Sequence, residues 1–235
     1  MLISAVILVF LGTAILLALF FIKNDHGDKE PLSALWTAGL IGLSGFIGAG
    51  YIESLLIPVN SLSPKTSTLS MSFFTYILVG VIEESLKFIP LALYIYKKKY
   101  FNEHTDGIIY FALAGIGFGV PENIVYVVSY GASAGIGRLI LDPFFHAATV
   151  AIVGYYLIKV KLDHKSWLSV ILAFVGVVMI HCIYDFCLST SNGTMIMLSV
   201  LITFIASIML FILFFKANKL DKKSGLTIRN KNKRS

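Results

Sequence analysis

Seven apolar runs follow one another along the chain, at about 1–22, 32–57, 71–96, 107–130, 142–158, 167–188 and 194–215. A helix needs about 20 apolar residues to cross a bilayer core of about 30 Å, and these runs are of that order. Short polar segments separate them, none long enough for a second folded unit. The pattern predicts an all-α, polytopic membrane bundle of about seven transmembrane helices. The membrane domain takes residues 1–215, and residues 216–235 form a basic tail expected to be disordered. Gly39, Gly42, Gly45 and Gly48 recur at every third position of the second run, which suits close helix approach. Pro90 and Pro121 lie inside the third and fourth runs, where each is expected to kink its helix or free a carbonyl. Asp142-Pro143 opens the fifth run as an N-cap followed by proline at the first helical position.

Composition agrees. The chain is 57% hydrophobic and 14% charged, with mean hydropathy +0.84, which excludes a soluble domain. Residues 1–22 lack a basic n-region, and their apolar run is too long for a signal peptide's core, so they read as a retained first span. Cys182 and Cys187 share one run and point to different helix faces. They read as small buried hydrophobes rather than a disulfide.

Charge sets the expected orientation. Lys23, Lys29, Lys97, Lys98, Lys99, Lys159, Lys161, Lys165 and the tail lysines and arginines all fall in alternate loops on one side. The other side holds Lys65 and Arg138, and Lys87 lies within a span. The positive-inside rule then places the N-terminus outside and the C-terminus in the cytoplasm. The net charge of +6 resides largely in the tail. A juxtamembrane basic segment attracted to anionic lipid accounts for it without a nucleic-acid partner.

Polar groups inside spans are costly and mark function. They are few: Glu83, Glu84 and Lys87 in the third run, Glu122 and Asn123 in the fourth, His146 in the fifth, His181 and Asp185 in the sixth. At about 1.5 Å of rise per residue, Glu83 lies about 9 Å below the outer surface, Glu122 about 7 Å, His146 about 6 Å and His181 about 9 Å. Helices of alternating direction thus place their ionisable residues in one layer. Three charges in one span cost about 8–10 kcal/mol, and its apolar residues return only about half, so bundle partners or a wet cavity must hold them. Glu83 and Lys87 are four apart and share a face, while Glu84 is turned about 100° from Glu83 toward another neighbour. His181 and Asp185 have the same spacing. Asp185 is expected to fix the imidazole tautomer and leave its other nitrogen free. Phe118 and Glu122 also share a face. His26, His104 and His164 fall in loops and read as solvated, and Glu53, near the outer end of the second run, is left unassigned, with the interface as its plainest place.

Such a layer suits the activation of water. A buried carboxylate acts as general base, and an imidazole orients the water, stabilises an oxyanion or donates a proton. Alternatively, His146, His181 and a carboxylate such as Glu122 could hold zinc with an open fourth position. Two other classes use the same residues. One is a proton-coupled transporter or channel with the Glu/His layer as relay. The other is a haem protein with His146 and His181 as axial ligands. The segment Gly131-Ala132-Ser133-Ala134-Gly135 matches a serine-hydrolase elbow, but that motif needs a strand before it.

The set Glu83-Glu84-Ser85-Leu86-Lys87, Phe118-Gly119-Val120-Pro121-Glu122-Asn123, Asp142-Pro143-Phe144-Phe145-His146 and His181-Cys182-Ile183-Tyr184-Asp185 resembles the motif set of the PrsW-type intramembrane proteases. These are relatives of the CAAX-processing and Abi membrane peptidases. The segment from Phe101 to Tyr110 is similar as well, and the likeness spans about residues 71–188. The resemblance implies cleavage of a membrane-anchored protein, typically an anti-sigma factor, near the extracytoplasmic side of a bacterial plasma membrane. It implies Glu83, Glu84, His146 and His181 as catalytic residues, with Lys87, Glu122, Asn123 and Asp185 in support. The relatives carry histidine at the Glu122 position. That departure weakens a zinc site and favours a metal-free, glutamate-based mechanism, and both versions stay open. The outer loop 61–70 is expected near substrate entry.

Overall fold

The computed structural model of the chain describes residues 2–58, 69–131, 142–190 and 192–224. They form seven helices: α1 (Leu2–Asn24), α2 (Leu32–Leu56), α3 (Leu69–Ile95), α4 (Asp106–Tyr130), α5 (Asp142–Asp163), α6 (Trp167–Ser189) and α7 (Gly193–Lys223). The apolar runs therefore mark the helices to within a few residues, except at the end of α5 and of α7. The expectations for Ser133, for Lys65 and Arg138 and for loop 61–70 fall mostly or wholly outside the described residues. The helix α3 runs through Pro90 and α4 through Pro121. Cys182 and Cys187 are free and buried.

Among the described residues, six helices are long and apolar enough to cross a membrane; α3 is the one that composition sets apart. Its 27 residues measure about 40 Å, but it carries Glu83, Glu84 and Lys87. Those charges are covered because α2, α4, α5 and α6 all pack on α3. The central helix is α5. Phe145, Ala147, Ala148, Val150, Ala151 and Ile158 are fully buried along it, against α4, α6 and α7. By contrast α1, α2, α6 and α7 present Leu, Ile, Phe and Trp outward. An apolar exterior around a core that holds the charges is the arrangement a lipid solvent requires.

Small residues bring the helices close where the site needs it. A Cβ on Gly115 of α4 would overlap the backbone of His146 on α5, and one on Gly42 of α2 would overlap Ala114. Only glycine permits these approaches. They fix α4 between α2 and α5, the helix that carries His146.

The α7 helix continues eight residues beyond the predicted span, so the tail is helical as far as Lys223. Ala217, Asn218 and Asp221 are buried there. Asp221 accepts from the backbone N–H of His104 at 2.7 Å and of Thr105 at 3.0 Å, and its Oδ1 lies 2.7 Å from His104 Nδ1. His104 Nε2 reaches Asp163 at 3.0 Å. His104 is therefore buried and paired rather than solvated, while His26 and His164 are exposed. Glu103, also buried, accepts from the N–H of Asp28, and Thr105 donates to Asp25. This junction ties the ends of α4, α5 and α7 to the α1–α2 loop.

Burial pushes the Glu103 carboxyl from its ordinary 4.5 up to about 8. Burial opposes charge on His104, but Asp221 and Asp163 outweigh it and raise its pKa above 6.5. In both cases the folded chain binds protons that the unfolded chain has released, so stability falls as pH rises. For Glu103 the loss falls between pH 4.5 and about 8. Thermal unfolding across that window is expected to show a falling midpoint, and Glu103→Gln to flatten the slope. An unchanged slope in the variant would contradict the assignment.

Candidate active site

Glu83, Glu84, Lys87, His146 and His181 are all buried, and three helices, α3, α5 and α6, bring them together. The centre is the Lys87 ammonium. Its Nζ lies 3.0 Å from Glu83 Oε2, 3.1 Å from Glu84 Oε1 and 2.9 Å from His146 Nδ1, and 4.0 Å from the centroid of the Phe118 ring. Glu84 thus meets Lys87 as well as Glu83 does, although its turn of the helix points it elsewhere. Positions three apart are also neighbours on a helix, and the long lysine stem reaches both carboxylates.

An ammonium has only hydrogens to give, so His146 Nδ1 accepts from Lys87. The neutral imidazole then carries its proton on Nε2, 2.9 Å from Glu122 Oε2. His181 stands across the site, its ring centroid 5.7 Å from that of His146. Its Nδ1 lies 2.6 Å from Glu84 Oε1, and its Nε2 lies 3.2 Å from Asp185 and 3.5 Å from Glu83. Neither nitrogen is left free, contrary to the expectation from the His181–Asp185 spacing. Gly80 explains the second contact: it lets α3 approach the Val178–Cys182 stretch of α6 closely, which carries Glu84 onto the far side of the ring. Phe145 packs edge-on to His181 and stacks on Tyr184.

Thr149 was not evident as a site residue. It lies one turn beyond His146, donates to Glu84 Oε1 at 3.2 Å and is buried. The i,i+3 spacing from His146 was its only signal. Glu84 Oε1 therefore faces Lys87, His181 and Thr149, while its Oε2 is buried with no hydrogen-bond partner among the described residues. Asn123 is buried and donates to the carbonyl of Gly119 on its own helix.

One group of three has metal-ligand spacing among the described residues. Glu83, Glu122 and His146 each offer a ligand atom, and these atoms lie within 4.8 Å of one another. The group contains Glu83 where the sequence suggested His181. One imidazole and two carboxylates fit a catalytic zinc by donor type and number. Lys87 competes for the same place, because its ammonium already touches both Glu83 and His146.

The profile of the PrsW family intramembrane metalloproteases matches residues 30–215. Among curated proteins, the chain is 29% identical over 218 residues to Protease PrsW of Bacillus subtilis (strain 168), covering 91% of this chain and 92% of that one. It is 32% identical to Protease PrsW of Halalkalibacterium halodurans, over 72% of this chain and 76% of the relative. With Protease PrsW of Clostridioides difficile (strain 630) it shares 30% identity, over 74% and 75% respectively. No solved structure matches. The bacterial relatives and the six apolar helices indicate a multi-pass protein of the cell membrane. A buried glutamate–histidine cluster inside a bundle of apolar helices and a match over most of the chain point the same way: this protein is a peptidase of the PrsW family of intramembrane proteases.

Proposed function

We propose that the chain is an endopeptidase that cuts a membrane-anchored protein, of the anti-sigma-factor type, near the extracytoplasmic side, using the Glu83/Glu84 pair to activate water. The observation that carries this reading is the Lys87-centred cluster: two glutamates and two histidines from α3, α5 and α6, buried together. In this reading the N-terminus lies outside and the cluster faces the outer leaflet.

The two glutamates have different tasks. Glu84 is 1% exposed and is held on one oxygen by three donors, so it fixes Lys87, His181 and Thr149 in place. Glu83 is 7% exposed, on the side of Glu122 and Asp185, whose carboxylates are more open. Glu83 therefore accepts the proton of the attacking water. His181, with carboxylates at both nitrogens, carries positive charge that stabilises the developing oxyanion. Where a divalent metal is bound, Glu83, Glu122 and His146 would hold it, and it would supply Lewis-acid polarisation of the carbonyl and a more acidic water.

Purified protein in proteoliposomes with single-span membrane proteins tests the reading. Cleavage by wild type is expected. Elemental analysis of chelator-treated, still active protein then separates the two versions: full activity with no bound metal assigns the chemistry to the glutamates. Ion flux abolished by Glu84→Gln, without any cleavage, would overturn the peptidase reading in favour of a relay.

A further inference from the structure

We propose that Glu53 on α2 is the general acid of the reaction, giving the leaving amine its proton as the peptide bond breaks. The inference rests on the peptidase reading above and extends it to a helix that contributes none of the motif residues.

Three observations carry it. The first is position. On α2 the buried residues Ala34 and Leu35 are followed by Ala38, Gly42, Gly45 and Ala49, the last four at spacings of four, three and four. Glu53 follows four residues after Ala49, so it continues that face. Ala49 packs on Ile82 and Phe118, which are next to Glu83 and one turn from Glu122. The small-residue face that seats α2 on α3 and α4 thus ends in a carboxylate at the level of the site. The second is neighbourhood. The charged groups that act most strongly on Glu53 are Glu83, Glu122, Asp185 and His181, on three different helices. The third is bonding. Glu53 Oε1 is buried with no hydrogen-bond partner among the described residues.

The other carboxylates of the site are each engaged. Glu83 and Glu84 meet Lys87, Glu122 meets His146, and Asp185 meets His181. Among the described residues, no cation lies within ion-pair distance of Glu53. A buried carboxylate oxygen with no donor among the described residues has nothing to accept from. A carboxylic acid in the same place has a hydrogen to give. Two carboxyl groups held in opposite environments within one site are the usual division between acid and base.

The step balances. The oxygen of water bonds to the scissile carbonyl carbon while one of its protons passes to Glu83. The C–N bond then breaks, and its electron pair takes the proton from Glu53. The products are a carboxylic acid and an amine. Glu83 is left protonated and Glu53 ionised, and one proton transfer between them through water restores both.

The experiment uses full-length protein in proteoliposomes and a single-span membrane protein that wild type cuts. The cleaved bond is mapped by mass spectrometry, and the same segment is then made with an ester at that bond. An alkoxide leaves without help far more readily than an amine anion. Glu53→Gln is expected to lower turnover of the peptide about 10²–10⁴-fold, to remove the alkaline limb of its pH profile, and to leave turnover of the ester close to wild type. The groups that face Glu53 stay in place: Glu83 and Lys87 on α3, Glu122 on α4, His146 on α5, His181 and Asp185 on α6. Glu53→Asp keeps an acid and is expected to retain the alkaline limb at reduced rate. The proposal is overturned if Glu53→Gln cuts the peptide normally with an unchanged profile, or if it loses both substrates equally while Glu53→Asp loses the limb as well. Glu83→Gln and Glu84→Gln separate this from the parent reading. Normal cleavage by both Glu83→Gln and Glu84→Gln sinks both, whereas cleavage that needs the pair but ignores Glu53 sinks only this one.

Discussion

Glu83→Gln and Glu84→Gln should each reduce cleavage by about 10²–10⁴-fold, the range lost when a positioned acid–base group is removed. Their stabilities should differ. Glu84 Oε1 lies 3.1 Å from Lys87 Nζ, 3.2 Å from Thr149 Oγ1 and 2.6 Å from His181 Nδ1. An amide in its place keeps one acceptor but loses the charge that two cationic partners face. Glu83 meets Lys87 at 3.0 Å and His181 only at 3.5 Å, so its amide disturbs less. Thermal unfolding in detergent should therefore show a larger loss for Glu84→Gln. The double variant should be scarcely less active than either single one, because groups that act as a unit are not additive. Normal cleavage by both single variants would refute the assignment of the pair.

The fold was legible because lipid makes it so. A span must be apolar over its whole length, and the seven runs announce themselves without any periodicity to interpret. What escaped was the end of α7. Lys216, Lys219, Lys222 and Lys223 resemble a solvated tail by composition, yet Asp221 and Asn218 lie between them on one face. That face docks on the segment His104–Thr105 and on the α1–α2 loop. A polar helix held by hydrogen bonds to loop backbone leaves no apolar stripe to be read. His104 escaped for the same reason, since its partners Asp163 and Asp221 are 59 and 117 residues away.

The polar residues of the spans were legible as a list, because charged residues in spans are rare enough to count. Their wiring was not. Helical spacing placed Glu83 with Lys87 and His181 with Asp185, and both contacts exist. It could not show that Lys87 also reaches His146 across 59 residues, or that Glu84 reaches His181 across 97. Those contacts depend on how near α3 comes to α5 and α6. Gly80 lets α3 come close to α6, and Gly115 seats His146 and its helix α5 against α4; in the sequence they are two glycines among many. Glu53 illustrates the same limit. Read alone it is unassigned, and only the packing of Ala49 on Ile82 and Phe118 turns it toward the site.

The largest effect on stability is expected from Lys87→Met. The methionine keeps much of the volume and the contact with Phe118, but removes the ammonium shared by Glu83, Glu84 and His146. Two buried carboxylates then face one another without their common cation. Removing one partner of a buried ion pair costs about 3–5 kcal/mol, and here one residue serves two pairs at once. The cost should be recoverable from the other side. Combining Lys87→Met with Glu84→Gln removes one of the stranded charges, so the double variant should unfold at a higher temperature than Lys87→Met alone, though it stays inactive. Fully additive losses would show that Lys87 supports the bundle by packing. A partial recovery would show that its charge is what allows α3 to keep two glutamates inside the membrane.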